Sequence, residues 1–491
     1  MPIPGHIAYF FGLVLLGAQT QLPTSDESQV QRVLERAAAY IGPAALTPPD
    51  RPFRINYRGT TERYAVYQDR EPDASRPTTR FEVLLFDVAG RRSALRHEDA
   101  QTDGTQATWR DVMRPDGGYS LNLKTRLQWA RTADFSASRM RAQAWRIPHL
   151  ILQELHGDPS ALRTGPPRTI AGKRYQVLTM EMNGVPLRLL FDDASGALMG
   201  YEHDADLIDG THPLRVLFKE YRPHSQLGRF PSGFVRTIGE RVYMDLDVYY
   251  VKLSDITEDW FDSPTNTRTP RVSTTPPSSE EIAPGVTLLR NVGGYNTAIA
   301  DLGECLAVLD APERFSWDNT LPPVRRPTAI GELLLSRIRE ISSKPICYVV
   351  PTHHHGDHFG AIRTLLREQP IIVTTAGNVP LLQRITRAVL GTDTRSADRL
   401  LIVEDRLVLG TGDRRIEIYR ITGDPHAAET LFFYFPANRT VFEADIGDYN
   451  QSAKRFLQFI EERRIPVARI YGAHNSAFTT PQHLENDEPS N

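Results

Sequence analysis

The sequence predicts an α+β chain of two domains, a mainly antiparallel β domain followed by a domain of sheets covered by helices. Three observations predict it. The 491 residues exceed what one hydrophobic core usually organises. Strand patterns dominate up to about residue 262, whereas strands and helices intermix after about residue 285. Between them, "DSPTNTRTPRVSTTPPSSEEIAPG" holds five prolines from Pro264 to Pro284 amid serine and threonine, which is linker composition.

The elements follow in order. Val30, Val33, Leu34, Ala37, Ala38 and Ile41 recur at helical spacing, so residues 26–40 read as an amphipathic helix. "RFEVLLFDV" and "GKRYQVLTMEMNGVPLRLLFDDASG" alternate or run apolar, and Asn183-Gly184 between two such runs signals a hairpin. "HPLRVLFKEYRP" and "FVRTIGERVYMDLDVYYVKL" continue the strands. The first domain is therefore placed at 25–262, the linker at 263–284, the second domain at 285–480 and a polar tail at 481–491. In the second domain, "VTLLRNVGGYNTAIADLGECLAVLD" gives short strands. "GELLLSRIREI" reads as a helix, and "KPICYVVPT" as a strand ending at histidines. "GAIRTLLREQ" is helical, and "PIIVTT" and "DRLLIVEDRLVLGTGDRRIEIYRITG" are strands. "ETLFFYFPANRTVFEADIG" is hairpin-like, "SAKRFLQFIEERR" is helical, and "VARIYGAH" is a last strand.

Composition excludes some classes. A formal net charge of −3 leaves no basic footprint for nucleic acid. Residues 7–18 form a 12-residue apolar run, too short to span a bilayer but suited to a signal peptide within residues 1–20, so export to the periplasm or medium is expected. No other apolar stretch is long enough to cross a membrane. Cys305 and Cys347 each lie in an apolar, strand-like run and read as two buried thiols rather than a disulfide.

The chemistry concentrates in "PTHHHGDHFG", residues 351–360, where His353, His355, Asp357 and His358 form His-x-His-x-Asp-His. A strand end followed by a helix start holds side chains in fixed directions. Alternate residues of an extended turn share a side, so His353 and His355 can bind one metal while Asp357 and His358 face a second. Imidazole and carboxylate suit zinc, and also iron or manganese. His426, Asp445 and His474 each follow an apolar strand downstream. His354 sits between ligands and is expected to point away from them. Asp310, ending "LAVLD", either caps a turn or holds a ligand histidine. Tyr295 and Glu429 lie near ligand-bearing loops. His97, His149, His156, His203, His212 and His224 read as structural, and His483 as solvated.

The region 285–480 resembles the metallo-β-lactamase fold superfamily, whose signature is His-x-His-x-Asp-His followed by a lone His, an Asp and a final His. The resemblance implies a four-layer αββα sandwich with a di-metal site at the sheet edges. It implies that His353, His355 and His426 hold one divalent ion, that Asp357, His358 and His474 hold another, and that Asp445 bridges them. Two zinc ions are the first expectation. The bridging Asp and final His set the chain apart from the β-lactamase branch, and "THHHGDH" is closer to glyoxalase II-like thioester and ester hydrolases. Ala444 stands where the family often has Gly, and "DPHAAE" departs from its usual loop after the lone His. The implied activity is hydrolysis of an ester, thioester, lactone or similar acyl compound by a metal-bridging hydroxide, with Asp357 ligating a metal and orienting the nucleophile. Alternatives are an iron-dependent, persulfide dioxygenase-type enzyme on the same fold and a non-enzymatic metal-containing binding or carrier protein. The first domain, through "GKRYQVLTMEMNGVPLRLLFDDASGALMGYE", resembles the half-barrels of periplasmic lipoprotein carriers.

Overall fold

The computed structural model describes residues 25–62, 70–72, 77–100, 106–255, 257–269, 277–313, 321, 329–391, 399–446, 450–474 and 479–486. The N-terminal apolar run and its expected cleavage site lie outside them.

The first domain is built on one antiparallel sheet, which has thirteen strands among the described residues. Its edges are Gln128–Arg131 and Arg163–Ile170, and at its centre Phe53–Thr61 pairs with Arg241–Leu253. Asn183 and Gly184 form the two-residue hairpin turn, with φ of 55° and 75°, and Met182 pairs with Val185 across it. Both turn positions need left-handed backbone, which Asn and Gly supply cheaply. The helix Ser25–Ile41 lays Val30, Val33, Leu34, Ala37 and Ile41 onto the sheet beside Leu152 of the helix Pro148–Gly157.

The second domain packs four layers. A seven-stranded sheet and a five-stranded sheet face each other through Leu288, Leu309, Val350, Ile418, Phe433 and Phe442. The strand Leu306–Leu309 shows the pattern at its smallest: Ala307 and Leu309 point between the sheets, while Leu306 and Val308 meet the helices Ala329–Ile341 and Val379–Leu390. The five-stranded sheet is covered on its far face by Phe456, Phe459 and Ile460 of the helix Asn450–Glu462. Strands buried on both faces need near-continuous apolar runs, which is how "LAVL" and "LFFYF" read.

Three sequence expectations are corrected. Residues 278–283, assigned to the linker, form the edge strand Ser278–Ala283, because Ile282 and Ala283 are buried between the sheets. Residues 481–486 of the expected tail form a short helix. Cys305 and Cys347 form a disulfide instead of two thiols. The parallel strands Leu306–Leu309 and Ile346–Val350 pair Leu306 with Ile346 but Ala307 with Tyr348, so Cys347 occupies the register shift. Its Cα then lies 5.8 Å from that of Cys305, within bridging range.

The domains exchange side chains. Ile208, at the tip of the hairpin joining Leu198–Leu207 to Gly210–Phe218, is buried in the second domain's core beside Leu381 and Ile385. Leu321 is buried in the first domain's core. Arg363 donates to Asp206 at 2.9 Å and to the Leu207 carbonyl at 2.7 Å.

Candidate metal centre

The seven residues singled out in the sequence come together at one end of the sandwich. His353, His355 and Asp357 follow the strand Ile346–Val350, and His358 sits in the helical turn Gly356–Phe359. His426 follows Ile416–Thr422, Asp445 follows Thr440–Glu443, and His474 follows Arg469–Gly472. Apolar strands anchor these loops in the core, so the polar ends can be held without packing of their own. The Leu431 N–H donates to the Thr352 carbonyl at 2.7 Å, tying the five-stranded sheet to the histidine turn.

Two groups with metal-ligand spacing result. His353, His355, His426 and Asp445 form one, and Asp357, His358 and His474 the other; within each, one ligand atom per residue lies within 4.8 Å of the rest. Asp445 touches both. Its Oδ2 is 3.0 Å from His426 Nε2, 3.1 Å from His358 Nε2 and 3.4 Å from His353 Nε2, and its Oδ1 is 2.8 Å from His474 Nε2. Asp445 adopts a left-handed φ of 63°, and Asp310 one of 73°. Aspartate tolerates that region better than most residues, and such backbone concentrates at functional sites.

Asp310 orients two of the imidazoles. Its Oδ2 accepts from His358 Nδ1 at 2.8 Å, which turns Nε2 of that ring into the centre. Its Oδ1 accepts from the Thr352 hydroxyl at 2.9 Å, and that oxygen lies 3.1 Å from His353 Nδ1. With the hydroxyl proton committed to Asp310, His353 Nδ1 is the donor and its Nε2 carries the lone pair. Carboxylates and hydroxyls in this position fix ring tautomer and direction. On the other side Asp424 accepts the His426 N–H at 2.7 Å and the Ser452 hydroxyl at 2.7 Å.

The electrostatics suit cation binding. Burial holds His355 well below the usual imidazole range and also lowers His353, so both present lone pairs at neutral pH. Burial would raise Asp445, but His358, His474 and His426 outweigh it and keep the carboxylate ionised. Burial would lower His358, but Asp310, Asp445 and Asp357 together raise it. Five imidazoles around one ionised carboxylate, with the Nε2 atoms of His358 and His474 only 3.0 Å apart, fit divalent metal better than any set of mutual hydrogen bonds.

Residues 324–451 match the family model of the metallo-β-lactamase superfamily. The second domain is a metallo-β-lactamase superfamily domain. Two hydroxyacylglutathione hydrolases of Vibrio vulnificus, from strains YJ016 and CMCP6, are each 26% identical to this chain over 140 residues, which is 28% of this chain and 54% of theirs. The chain thus spans about half the length of the curated relatives it matches. Among solved structures, a metallo-β-lactamase from Pontibacter korlensis covers 43% of this chain and 96% of its own at 16% identity and a TM-score of 0.30. The stereoselective inverting sec-alkylsulfatase from a Pseudomonas species covers 43% of this chain and 40% of its own at 15% identity and a TM-score of 0.31.

The remaining sequence candidates have other places. His354 is buried outside both groups, with its ring 4.8 Å from that of His355, and lines a neighbouring pocket together with Glu429. Tyr295 packs its ring on His474 and His358, at 5.1 and 6.1 Å. His149 and His224 bond backbone carbonyls of the first domain, and His212 bonds Asp209. His97 faces Asp111 there, His203 is buried there, His156 lies on the helix Pro148–Gly157, and His483 on the last helix, beside Thr480. Sequence reading missed Thr352 and Asp424. Thr352 directly precedes the histidines, and Asp424 precedes His426 by two, so local spacing could have flagged both. No helix of the described residues is long and apolar enough to cross a membrane.

Proposed function

We propose that this chain is a dinuclear metal-dependent hydrolase acting on an ester, thioester, lactone or similar small acyl compound. The main support is Asp445, whose two carboxylate oxygens face members of both ligand groups. His353, His355 and His426 would hold one ion, Asp357, His358 and His474 the other, with Asp445 shared. Zinc is the proposed metal, iron or manganese the alternatives. Two such ions, when bound, lower the pKa of water toward ~7 and polarise a carbonyl. Asp357, on the more open side of the centre, would hold one ion and orient the attacking water by hydrogen bonding. The layered strand ends keep the ligands in place, and Asp310 keeps the His358 and His353 lone pairs aimed inward. The disulfide Cys305–Cys347 suits an oxidising compartment, which supports the further proposal that the protein is exported.

Metal content by plasma mass spectrometry, for the wild type and Asp445→Ala, tests this, followed by an ester and thioester screen. The expectation is about two zincs per chain, falling to one or fewer in the variant, with turnover of an acyl substrate. One iron per chain, unchanged by the substitution, would point instead to a redox enzyme on this fold. No retained metal in either protein would leave a binding or carrier protein.

A further inference from the structure

A pocket of about 500 Å³ lies beside the centre, and both domains line it. That size suits a small ligand. Arg70, Glu71 and Pro72 come from the connection between the first-domain strands Phe53–Thr61 and Thr78–Asp87. His354, Asn378 and Glu429 come from the second domain. The pocket adjoins the His353, His355 and His426 group: His354 stands between two of these histidines, and Ala428, also in its wall, lies two residues after the third.

The first domain also grips the loop that carries His426. The Arg70 carbonyl accepts from the Ala428 N–H at 2.7 Å, and Arg70 Nε donates to the Asp424 carbonyl at 3.2 Å. These contacts bracket His426 on both sides in sequence. Asp424 holds the same loop from within, through the His426 N–H and Ser452. Ile208 and the Arg363–Asp206 pair dock the domains elsewhere, so the grip has a fixed base.

We infer that the first domain holds the His426 loop in place beside this pocket, with Arg70 as a positioning residue for His426. The inference takes His426 as a metal ligand, as proposed above, and otherwise rests on geometry alone. The pocket wall carries Arg70, Glu71, His354 and Glu429, the last held by the Gly377 N–H at 3.1 Å and Arg420 at 3.0 Å. Pro72 and Ala428 add apolar side chains to the same wall.

The test uses the full-length chain as wild type, Arg70→Ala, Arg70→Lys and, as a docking control, Asp206→Ala. Zinc affinity is measured by competition with a chromophoric chelator, and turnover on an ester and thioester panel. Arg70→Ala should bind zinc about tenfold or more weakly, Arg70→Lys should fall between it and the wild type, and Asp206→Ala should match the wild type. A folded Arg70→Ala with wild-type zinc affinity would overturn the positioning role. If the zinc-loaded wild type cleaves no acyl compound, the hydrolase reading fails, while the chelator competition still decides Arg70.

Discussion

Two buried carboxylates, one in each domain, are ringed by nitrogen and end in opposite situations. Glu202 of the first domain is fully buried and accepts from Arg168 at 2.8 Å and Arg188 at 2.9 Å on one oxygen and from Arg215 at 2.9 Å on the other. Asp445 of the second domain meets His353, His358, His426 and His474. Arginine is permanently charged and only donates, so three of them satisfy a carboxylate outright. Imidazole can instead carry a lone pair, and His353 and His355, both held below the usual range, belong to one group with metal-ligand spacing. The first arrangement is complete as protein; the second has the donor set of a cation site. Ring composition, more than burial or carboxylate count, separates a structural ion cluster from a candidate metal centre.

Paired substitutions break this comparison most directly. On the proposed hydrolase reading, Asp445→Ala should cut hydrolysis roughly 10³-fold or more, because a ligand that would serve both ions is lost. It should leave first-domain unfolding unchanged in urea, followed by tryptophan fluorescence from Trp109, Trp129, Trp145 and Trp260. Glu202→Ala should do the reverse. Leaving Arg168 and the largely buried Arg215 uncompensated, while Arg188 keeps Asp204 at 2.9 Å, should cost about 3 kcal/mol of stability with zinc content intact. Loss of stability without loss of turnover in Asp445→Ala would make that carboxylate structural after all.

Acid sharpens the contrast on the first-domain side. Burial lowers His149 and His203 to about 4 from an ordinary value near 6.5. His149 Nε2 donates to the Leu227 carbonyl at 2.8 Å and the ring stacks on Phe230, with no carboxylate contact among the described residues to favour its cation. Such groups are neutral when folded but take up protons when unfolded. Stability is therefore full above about pH 6.5 and falls as pH drops toward about 4, by up to about 3 kcal/mol for each histidine. Urea midpoints across that window should slope downward, and His149→Gln should remove about half of the slope. An unchanged slope in the variant would place the acid sensitivity elsewhere.

The legibility of this molecule follows sequence distance. The histidine turn is readable because its four ligands sit within six residues, and His426, Asp445 and His474 are readable because each ends an apolar strand. The Asn183-Gly184 hairpin is readable because the turn dictates its residues. What fails is nonlocal or masked by composition. The disulfide depends on two parallel strands becoming neighbours across 42 residues. The edge strand Ser278–Ala283 hides in linker-like serines because only its last two residues face the core. The Arg70 contact with Asp424 spans 354 residues and two domains, and no local pattern encodes it.

The smallest expected effect tests whether the second domain's lone pairs must be aimed from outside the centre. Asp310 receives His358 directly and His353 through Thr352. Asp310→Asn is the informative change. Asparagine accepts the left-handed φ of 73° about as readily as aspartate, so the backbone stays unstrained. The amide keeps one acceptor but loses the charge and one of two acceptor oxygens, so either His358 or Thr352 loses its partner. Zinc affinity, read by chelator competition, should weaken about 10- to 100-fold while first-domain unfolding stays as in the wild type. The ligands themselves would all remain, so that loss would measure orientation alone. A folded Asp310→Asn with full zinc affinity would mean that the strand ends already fix the imidazoles, and that the carboxylate at 310 only ties the turn to the strand Leu306–Leu309.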